Sequence, residues 1–236
     1  MKSAVIIGAS SGIGRALAVT LSQAGYQVGI VARRGNLLEE LRRELPGPSI
    51  IKVVDVSDVE RAMSSVRELI DELGGVELFV LSAGTGAENP GLAWEPERCT
   101  IGVNVLGFAA MVNVAVAHLE MRRSGHLVGI SSLAALRGFG GAPAYSASKA
   151  FVSNYLEGIR YRFRKLGIPV CVTDVKPGFV DTRLSGGDFW MASPETAARQ
   201  IARAIRRRSS RVYVTKRWRL VAWLMRLAPD RIWGRL

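Results

Sequence analysis

The sequence predicts an α/β fold with a doubly wound parallel sheet, in a single domain followed by a C-terminal amphipathic helical extension. Short β-branched runs that are apolar on both faces alternate with helical patterns, which is typical of parallel strands covered by helices on both sides. The 236 residues are 48% hydrophobic and 22% charged, enough for one full core. No repeat or Pro/Gly-rich linker interrupts the series. We therefore expect one domain over residues 1–215 and the extension over residues 216–236.

Seven runs are the expected strands, and helical patterns connect them. In chain order they read AVIIG, QVGIVA, SIIKVV, ELFVLSA, HLVGISS, IPVCVTDV and RVYVT. The longest uncharged stretch, residues 99–119, is long enough to span a bilayer, but its two asparagines, its threonine and its interior glycines favour a buried or interface helix. A helix apolar nearly all round needs cover on two sides, so we expect a homodimer or homotetramer formed through this helix and the one that begins near Tyr145.

The positive charge of the chain lies in its last part. Residues 199–236 hold twelve Arg or Lys and one acid, Asp230, so they carry +11 of the net +12. This tail contains no recognisable nucleic-acid motif, and no nucleic-acid partner is expected. On a helical wheel an apolar arc forms from Trp218, Val221, Ala222, Leu224, Met225 and Ala228, widened by Leu220, Trp223 and Leu227. Two interpretations stay open: packing on protein, or peripheral contact with the inner face of a membrane.

Cysteine and histidine usage predicts neither disulfides nor a metal site. Cys99 and Cys171 are far apart and in no C-x-x-C pair, which favours a reducing compartment. No export signal is visible in the first residues, so we expect a cytoplasmic protein. His118 and His126 have no partner at metal-ligand spacing, and both are expected to be structural.

The first strand leads into the loop GASSGIGR and then a helix. Glycines at a strand-to-helix turn let backbone N–H groups approach a pyrophosphate, and the helix N-terminus favours negative charge. This context predicts a dinucleotide site that includes Gly8, Ser10, Ser11, Gly12, Ile13 and Gly14.

The end of the second strand predicts which dinucleotide binds. A site for NAD usually has Asp or Glu here, whereas arginine accommodates the 2′-phosphate of NADP. Arg33 and Arg34 occupy the position, so NADP(H) is the expected cofactor. Asp55, after the third strand, is expected either to bond the adenine amino group or only to cap the next turn.

Tyr145 and Lys149, in YSASK, are four residues apart and share one face of an expected helix. Together with the glycine loop, LSAG at 81–84, Asn104 in VNVLG, Ser132 in ISS and PGFVDT at 177–182, they resemble the short-chain dehydrogenase/reductases in order and spacing over roughly residues 4–182. The resemblance implies a Rossmann-like fold. Ser82 departs from the family, which usually has Asn there.

The resemblance implies roles for individual residues. Tyr145 would be the general acid or base, and Lys149 would favour its anionic form and bond the nicotinamide ribose. Ser132, rather than its neighbour Ser131, would polarise the substrate oxygen, and Asn104 would hold a water that relays protons to Lys149. Further cofactor contacts would come from Ala83, Gly84, Pro177, Gly178, Val180 and Thr182.

These motifs predict an NADPH-dependent carbonyl reductase or alcohol dehydrogenase. Residues 183–192, RLSGGDFWMA, suggest an apolar lid over a hydrophobic ketone or alcohol. Two other classes stay open: a non-catalytic dinucleotide sensor or scaffold on the same fold, and a binding module in which the basic tail meets a membrane or a nucleic acid.

Overall fold

The structure, a computed structural model, describes residues 2–181, 191–227, 229 and 231. A seven-stranded sheet in the order β3-β2-β1-β4-β5-β6-β7 forms its centre, and every neighbouring pair is parallel. The strands are β1 (Lys2–Ile7), β2 (Tyr26–Ala32), β3 (Ser49–Val53), β4 (Leu78–Leu81), β5 (Gly125–Ile130), β6 (Val170–Pro177) and β7 (Arg211–Val214). The predicted fold class is confirmed, and all seven expected runs form strands.

Eight α-helices are found in the described part of the chain: α1 (Gly12–Gln23), α2 (Gly35–Glu44), α3 (Val59–Glu72), α4 (Trp94–Ile101), α5 (Phe108–Arg122), α6 (Pro143–Lys165), α7 (Pro194–Arg206) and α8 (Trp218–Leu227). A π-helical segment, Gly102–Gly107, joins α4 to α5, and a short 3₁₀ helix, Leu133–Leu136, follows β5.

The core has two layers because successive residues of each buried strand face opposite sides of the sheet. In β1, Val5 and Ile7 belong to the cluster shared with α3, α5 and α6, while Ala4 and Ile6 belong to the cluster shared with α1, α2 and α7. The strand order reverses between β1 and β4. Ligands of open α/β sheets bind at the carboxyl ends of the strands beside such a reversal, so the fold points to the ends of β1, β4, β5 and β6.

The uncharged helix is mostly internal. Residues Trp94–Arg122 form one continuous helical stretch that is long and apolar enough to cross a membrane, but 56% of its most apolar window is buried inside the fold. The apolar residues of α5 pack on the sheet and also on α3 and α6, which flank it. The cover on a second side, for which a homo-oligomer was expected, thus comes at least in part from helices of the same subunit. The homo-oligomer itself stays a prediction.

The C-terminal helix α8 has two different faces. Trp218 and Ala222 are buried against Leu133, with Leu136, Tyr213 and Val221 packed around them. Met225 is buried as well. Leu224, which the helical wheel groups with these residues, is exposed together with Leu220, Trp223 and Leu227. Packing on its own domain thus accounts for one face only.

Candidate active site

The loop after β1 lies against the end of β4. Gly8 has a φ of +92°, and a Cβ atom there would lie 2.3 Å from the Ala83 amide nitrogen. A Cβ at Gly14 would lie 2.2 Å from the Gly8 carbonyl oxygen. Real Cβ atoms do not come so close, so only glycine permits the first turn of α1 to approach both strands. This packing aligns the N-terminus of α1 with the crevice.

The glycine loop is rich in hydrogen-bond donors. Ser11 is the N-cap of α1, but its hydroxyl does not cap the helix, and the first turn contains no acid. Instead the Arg34 Nη2 atom donates to Ser11 Oγ at 2.7 Å and to Ser10 Oγ at 2.8 Å. A guanidinium, two hydroxyls and the positive end of a helix dipole suit an anion. The residues present therefore fit the phosphate groups of a dinucleotide.

Arg33 and Asp55 meet at the outer side of this loop. The Arg33 Nη1 atom lies 3.1 Å from Asp55 Oδ2, and the Arg33 side chain is 63% exposed. Asp55 Oδ1 accepts hydrogen bonds from the amide and the hydroxyl of Ser57. Burial raises the pKa of Asp55, but the bonds from Ser57 and Arg33 outweigh it and hold the pKa below its ordinary value. Asp55 thus caps the turn after β3, which is one of the two roles expected from the sequence. Its contact with adenine stays a prediction.

Tyr145 and Ser132 come together at the ends of α6 and β5. Burial raises the pKa of the Tyr145 phenol, and a hydrogen bond with the Ser132 side chain partly offsets that effect. Ser132 Oγ also accepts from the Ala134 amide at 3.1 Å, because Ser132 caps the 3₁₀ helix. Gly86 lies under the ring of Tyr145, since a Cβ atom there would be 2.5 Å from Tyr145 Cδ2. The phenol is therefore held in place from two sides.

Lys149 lies beside Tyr145, one turn along α6. Its side chain is buried, with the Nζ atom donating to the Ile130 carbonyl oxygen at 3.2 Å and lying 5.7 Å from the centroid of the Tyr145 ring. Burial lowers the pKa of Lys149 to about 8. In the protein alone, burial outweighs the other influences and raises the pKa of the Tyr145 phenol. The expected effect of Lys149 on Tyr145 stays a prediction.

Asn104 belongs to the π-helical segment and is buried. Its Oδ1 atom accepts from the Thr85 amide at 2.8 Å, and its Nδ2 atom donates to the Thr85 carbonyl at 2.7 Å and to Ser148 Oγ at 2.9 Å. A Cβ atom at Gly84 would lie 3.2 Å from Lys149 Nζ and 3.4 Å from Asn104 Oδ1, so these three residues are adjacent. The side chain of Asn104 braces the segment after β4, and its part in a water relay stays a prediction.

The segment after β6 packs on the end of β7 and on the start of α8. The Gly178 amide donates to the Val214 carbonyl, and a Cβ atom at Gly178 would lie 2.2 Å from the Trp218 indole. Val180 is buried and forms an isolated parallel bridge with Ala192. Thr182 and most of the expected lid, residues 183–190, lie outside the described residues.

Two features of the site were not predicted from the sequence. The first is the contact between Trp218 and Gly178, which joins the C-terminal helix to the loop after β6. The second is a buried ion pair in β6: the Lys176 Nζ atom lies 3.0 Å from Asp174 Oδ2, and both side chains are 2% exposed. Ser153 bonds both partners, and Ser131 donates to Asp174. Opposite charges two residues apart in a buried strand share a face, and this signal is present in TDVK.

The histidines have structural partners. His118 Nε2 contacts the backbone of Val76, and His126 Nε2 lies 2.7 Å from Thr173 Oγ1. Within the described ranges, no group of three or more His, Cys, Asp or Glu could hold a metal ion.

Comparison with known proteins identifies the family. Residues 2–189 match the family model for short chain dehydrogenases. An uncharacterized oxidoreductase of Myxococcus xanthus is 40% identical over 78% of this chain and 74% of its own length. One of Mycobacterium tuberculosis is 32% identical over 97% and 94%. The crystal structure of a 3-ketoacyl-ACP reductase from Sinorhizobium meliloti has 28% identity and a TM-score of 0.79, and the match covers 89% of this chain and 96% of that chain. The chain therefore belongs to the short-chain dehydrogenase/reductase family of oxidoreductases, which use an NAD(P) cofactor.

Proposed function

We propose that this oxidoreductase reduces a hydrophobic ketone with NADPH, or oxidises the corresponding alcohol in reverse, and that Tyr145 transfers the proton. The observation that supports it best is the position of the Tyr145 phenol beside Ser132 and one helical turn from the buried Lys149, whose Nζ atom lies 5.7 Å from the centroid of the Tyr145 ring. A carbonyl oxygen bound by both hydroxyls would be polarised and would lie within reach of a proton.

The side chains divide the chemistry between them. When bound, the nicotinamide supplies the hydride that the carbonyl carbon accepts. Because its pKa is raised, the Tyr145 phenol is protonated at neutral pH and can donate to the developing alkoxide. The ammonium of Lys149 favours the phenolate as the proton leaves, since a cation stabilises an anion nearby. Ser132 holds the substrate oxygen against the phenol, and Asn104 braces the segment that packs on Lys149.

The two arginines that follow β2 support the choice of NADPH rather than NADH as the cofactor. Arg34 is bonded to Ser10 and Ser11 at the mouth of the glycine loop, and Arg33 is largely exposed next to it. Two guanidinium groups favour a 2′-phosphate. Asp55, at the end of the neighbouring strand, is paired with Arg33 and does not offer the ribose an uncompensated carboxylate.

The surroundings of the reacting centre favour an apolar substrate. Leu133 follows Ser132 directly, and Trp218 packs on it and on Gly178. Phe179 is 41% exposed beside Trp218, with the ring centroids 5.6 Å apart. A wall of such side chains suits a hydrophobic carbonyl compound. The relative named as a 3-ketoacyl-ACP reductase also supports a ketone as the substrate class.

A panel of ketones of increasing chain length and ring content, incubated with NADPH and followed by cofactor absorbance, tests the proposal. We expect turnover with at least one apolar ketone and its loss, by a factor of at least about 100, in Tyr145→Phe, since general acid catalysis contributes that much. Tyr161→Phe is the matched control, because Tyr161 is an exposed tyrosine on the same helix that bonds only Glu157 through its hydroxyl. Equal activity of Tyr145→Phe and the unmodified protein would overturn the assignment of the proton donor.

A further inference from the structure

The outer face of α8 carries an apolar stripe, defined here as Leu220, Trp223, Leu224 and Leu227. These residues follow the spacing i, i+3, i+4, i+7, so they lie on one side of the helix. Their exposures are 63%, 58%, 53% and 61%. The opposite side, with Trp218, Ala222 and Met225, is the one buried in the protein. The helix therefore packs on its own domain with one face and exposes a second apolar face to solvent.

Exposed cations border the apolar stripe. Arg219 and Arg226 are seven residues apart and lie along one edge of it, while Lys216 and Arg217 precede the helix. From residue 196 to residue 229 the chain contains no Asp or Glu. A face with leucines and a tryptophan at its centre and arginines at its border has the chemistry of a helix that lies in the interface of an anionic bilayer.

Two other occupants fit these residues less well. A second copy of α8 packed antiparallel about a twofold axis would place the arginines of one helix at the same edge as those of the other, with no acid on either helix to pair with them. A nucleic acid would be attracted by the charge but would leave the leucines in water. We propose that α8 docks this protein on an anionic membrane surface, with the apolar stripe inserted at the headgroup boundary and the arginines on lipid phosphates.

The docking helix also touches the active site, and this consequence rests on the proposed function. Trp218, on the inner face of α8, contacts Gly178 and packs on Leu133, the residue after Ser132. Docking through the outer face would therefore hold the ends of β5 and β6 close to the lipid. The substrate class that follows is a lipophilic carbonyl compound dissolved in the bilayer.

Sedimentation of the full chain with vesicles tests the docking without any turnover. We expect binding to phosphatidylcholine vesicles that contain phosphatidylglycerol, weaker binding at high salt, and little binding to phosphatidylcholine alone. Replacing Arg219 and Arg226 by Gln should weaken binding by about fivefold per arginine. Arg61→Gln with Arg67→Gln, two exposed arginines of α3, is the control for net charge and should bind like the unmodified protein.

A second variant tests whether the apolar stripe contributes to vesicle binding. Trp223→Ser with Leu224→Ser changes only exposed side chains, so the protein should fold, and binding to anionic vesicles should fall by at least about tenfold. Leu92→Ser with Trp94→Ser, which removes a leucine that is 65% exposed and a tryptophan that is 69% exposed, is the matched control. No binding of the unmodified protein at low salt, or equal binding of the stripe variant, would overturn the proposal. So would a stripe variant that changes from dimer to monomer while its vesicle binding is unaltered.

Activity measurements separate docking from catalysis. The stripe variant should reduce a water-soluble ketone at the rate of the unmodified protein but should be slower on a ketone dissolved in anionic vesicles. Vesicle binding without turnover of any ketone would refute the proposed function and leave the docking intact. Turnover with equal rates on both ketones by both proteins would refute the membrane-borne substrate.

Discussion

Burial changes the acidity of both ionisable groups at the centre of the site. It raises the pKa of Tyr145 and lowers that of Lys149 to about 8, so in the protein alone both changes favour the neutral forms. A neutral phenol is the form that can give a proton to a carbonyl oxygen, and a nearby ammonium favours the phenolate that is left behind. The local environment thus suits carbonyl reduction at neutral pH.

We expect the preference for NADPH over NADH to depend on Arg34. Arg34→Leu should lower kcat/KM for NADPH by about 10- to 100-fold, because a charge-assisted contact to the 2′-phosphate would be lost. The value for NADH should change much less. Steady-state kinetics with both cofactors measures the effect, and Arg42→Leu, an exposed arginine of α2 paired with Glu39, is the control. An equal fall for both cofactors would mean that Arg34 only braces Ser10 and Ser11.

The buried ion pair of β6 joins this strand to α6 and to the end of β5. Asp174 and Lys176 face α6, where Ser153 bonds both of them, and Ser131 at the end of β5 donates to Asp174. Because Ser131 precedes Ser132, this network fixes the backbone that carries the hydroxyl proposed to bind the substrate. A buried pair contributes little net stability, but removal of one partner leaves a buried charge without compensation.

Lys176→Met should therefore destabilise the protein by about 3–5 kcal/mol. Urea unfolding followed by circular dichroism measures the loss. Replacing both partners, Asp174→Asn with Lys176→Met, should recover part of it, since no uncompensated charge remains. A single variant as stable as the unmodified protein would contradict the description of this pair.

His126, at the start of β5, makes the stability of the sheet depend on pH. Burial lowers its pKa to about 4 from the ordinary 6.5, so the unfolded chain binds the proton more readily than the folded one. Stability should be highest above pH 6.5, fall as the pH drops toward about 4, and be lowered there by about 3 kcal/mol in total. In His126→Asn this part of the pH dependence should disappear. The measurement is the urea midpoint of the unmodified protein minus that of His126→Asn, followed from pH 6.5 down to about 4. A difference that stays constant with pH would contradict the role given to His126.

At the scale of the whole molecule, the sheet brings residues that are far apart in sequence to one crevice. The glycine loop, Ser132, Tyr145 with Lys149, and the segment after β6 all follow carboxyl ends of parallel strands. The C-terminal helix packs on the same edge of the sheet through Trp218. The fold thus explains why one edge of the sheet holds both the groups that we propose to bind the cofactor and those that we propose to transfer the proton.

We expect the outer surface of the π segment, α5 and α6 to be the surface of self-association. Leu106, Met121 and Tyr161 are 58%, 79% and 54% exposed there. We expect a homodimer or homotetramer that buries them, because such side chains gain free energy when they leave water. Light scattering at micromolar concentration, with the α8 stripe variant measured in parallel, tests this. Both proteins should have the same mass, and a monomer would contradict the prediction.

The sequence was most informative where structure is local. Seven strands could be predicted because parallel strands are apolar on both faces, and the loop around Gly8 because its turn requires glycine. The contact of Trp218 with Gly178 could not be predicted, since it depends on how an extension 40 residues later packs. The helical wheel of α8 showed apolar residues but not which of them are buried, because periodicity does not reveal the partner of a face.

Transfer of isotope from cofactor to product shows directly whether this protein moves hydride from NADPH to a ketone. The protein is incubated with an apolar ketone and NADPH that carries deuterium at the position of the transferred hydride, and the alcohol is examined by mass spectrometry. We expect an alcohol with one deuterium on the former carbonyl carbon, formed faster than with labelled NADH and at least about 100-fold more slowly with Tyr145→Phe. A folded protein that binds NADPH but yields no labelled alcohol from any ketone would contradict it.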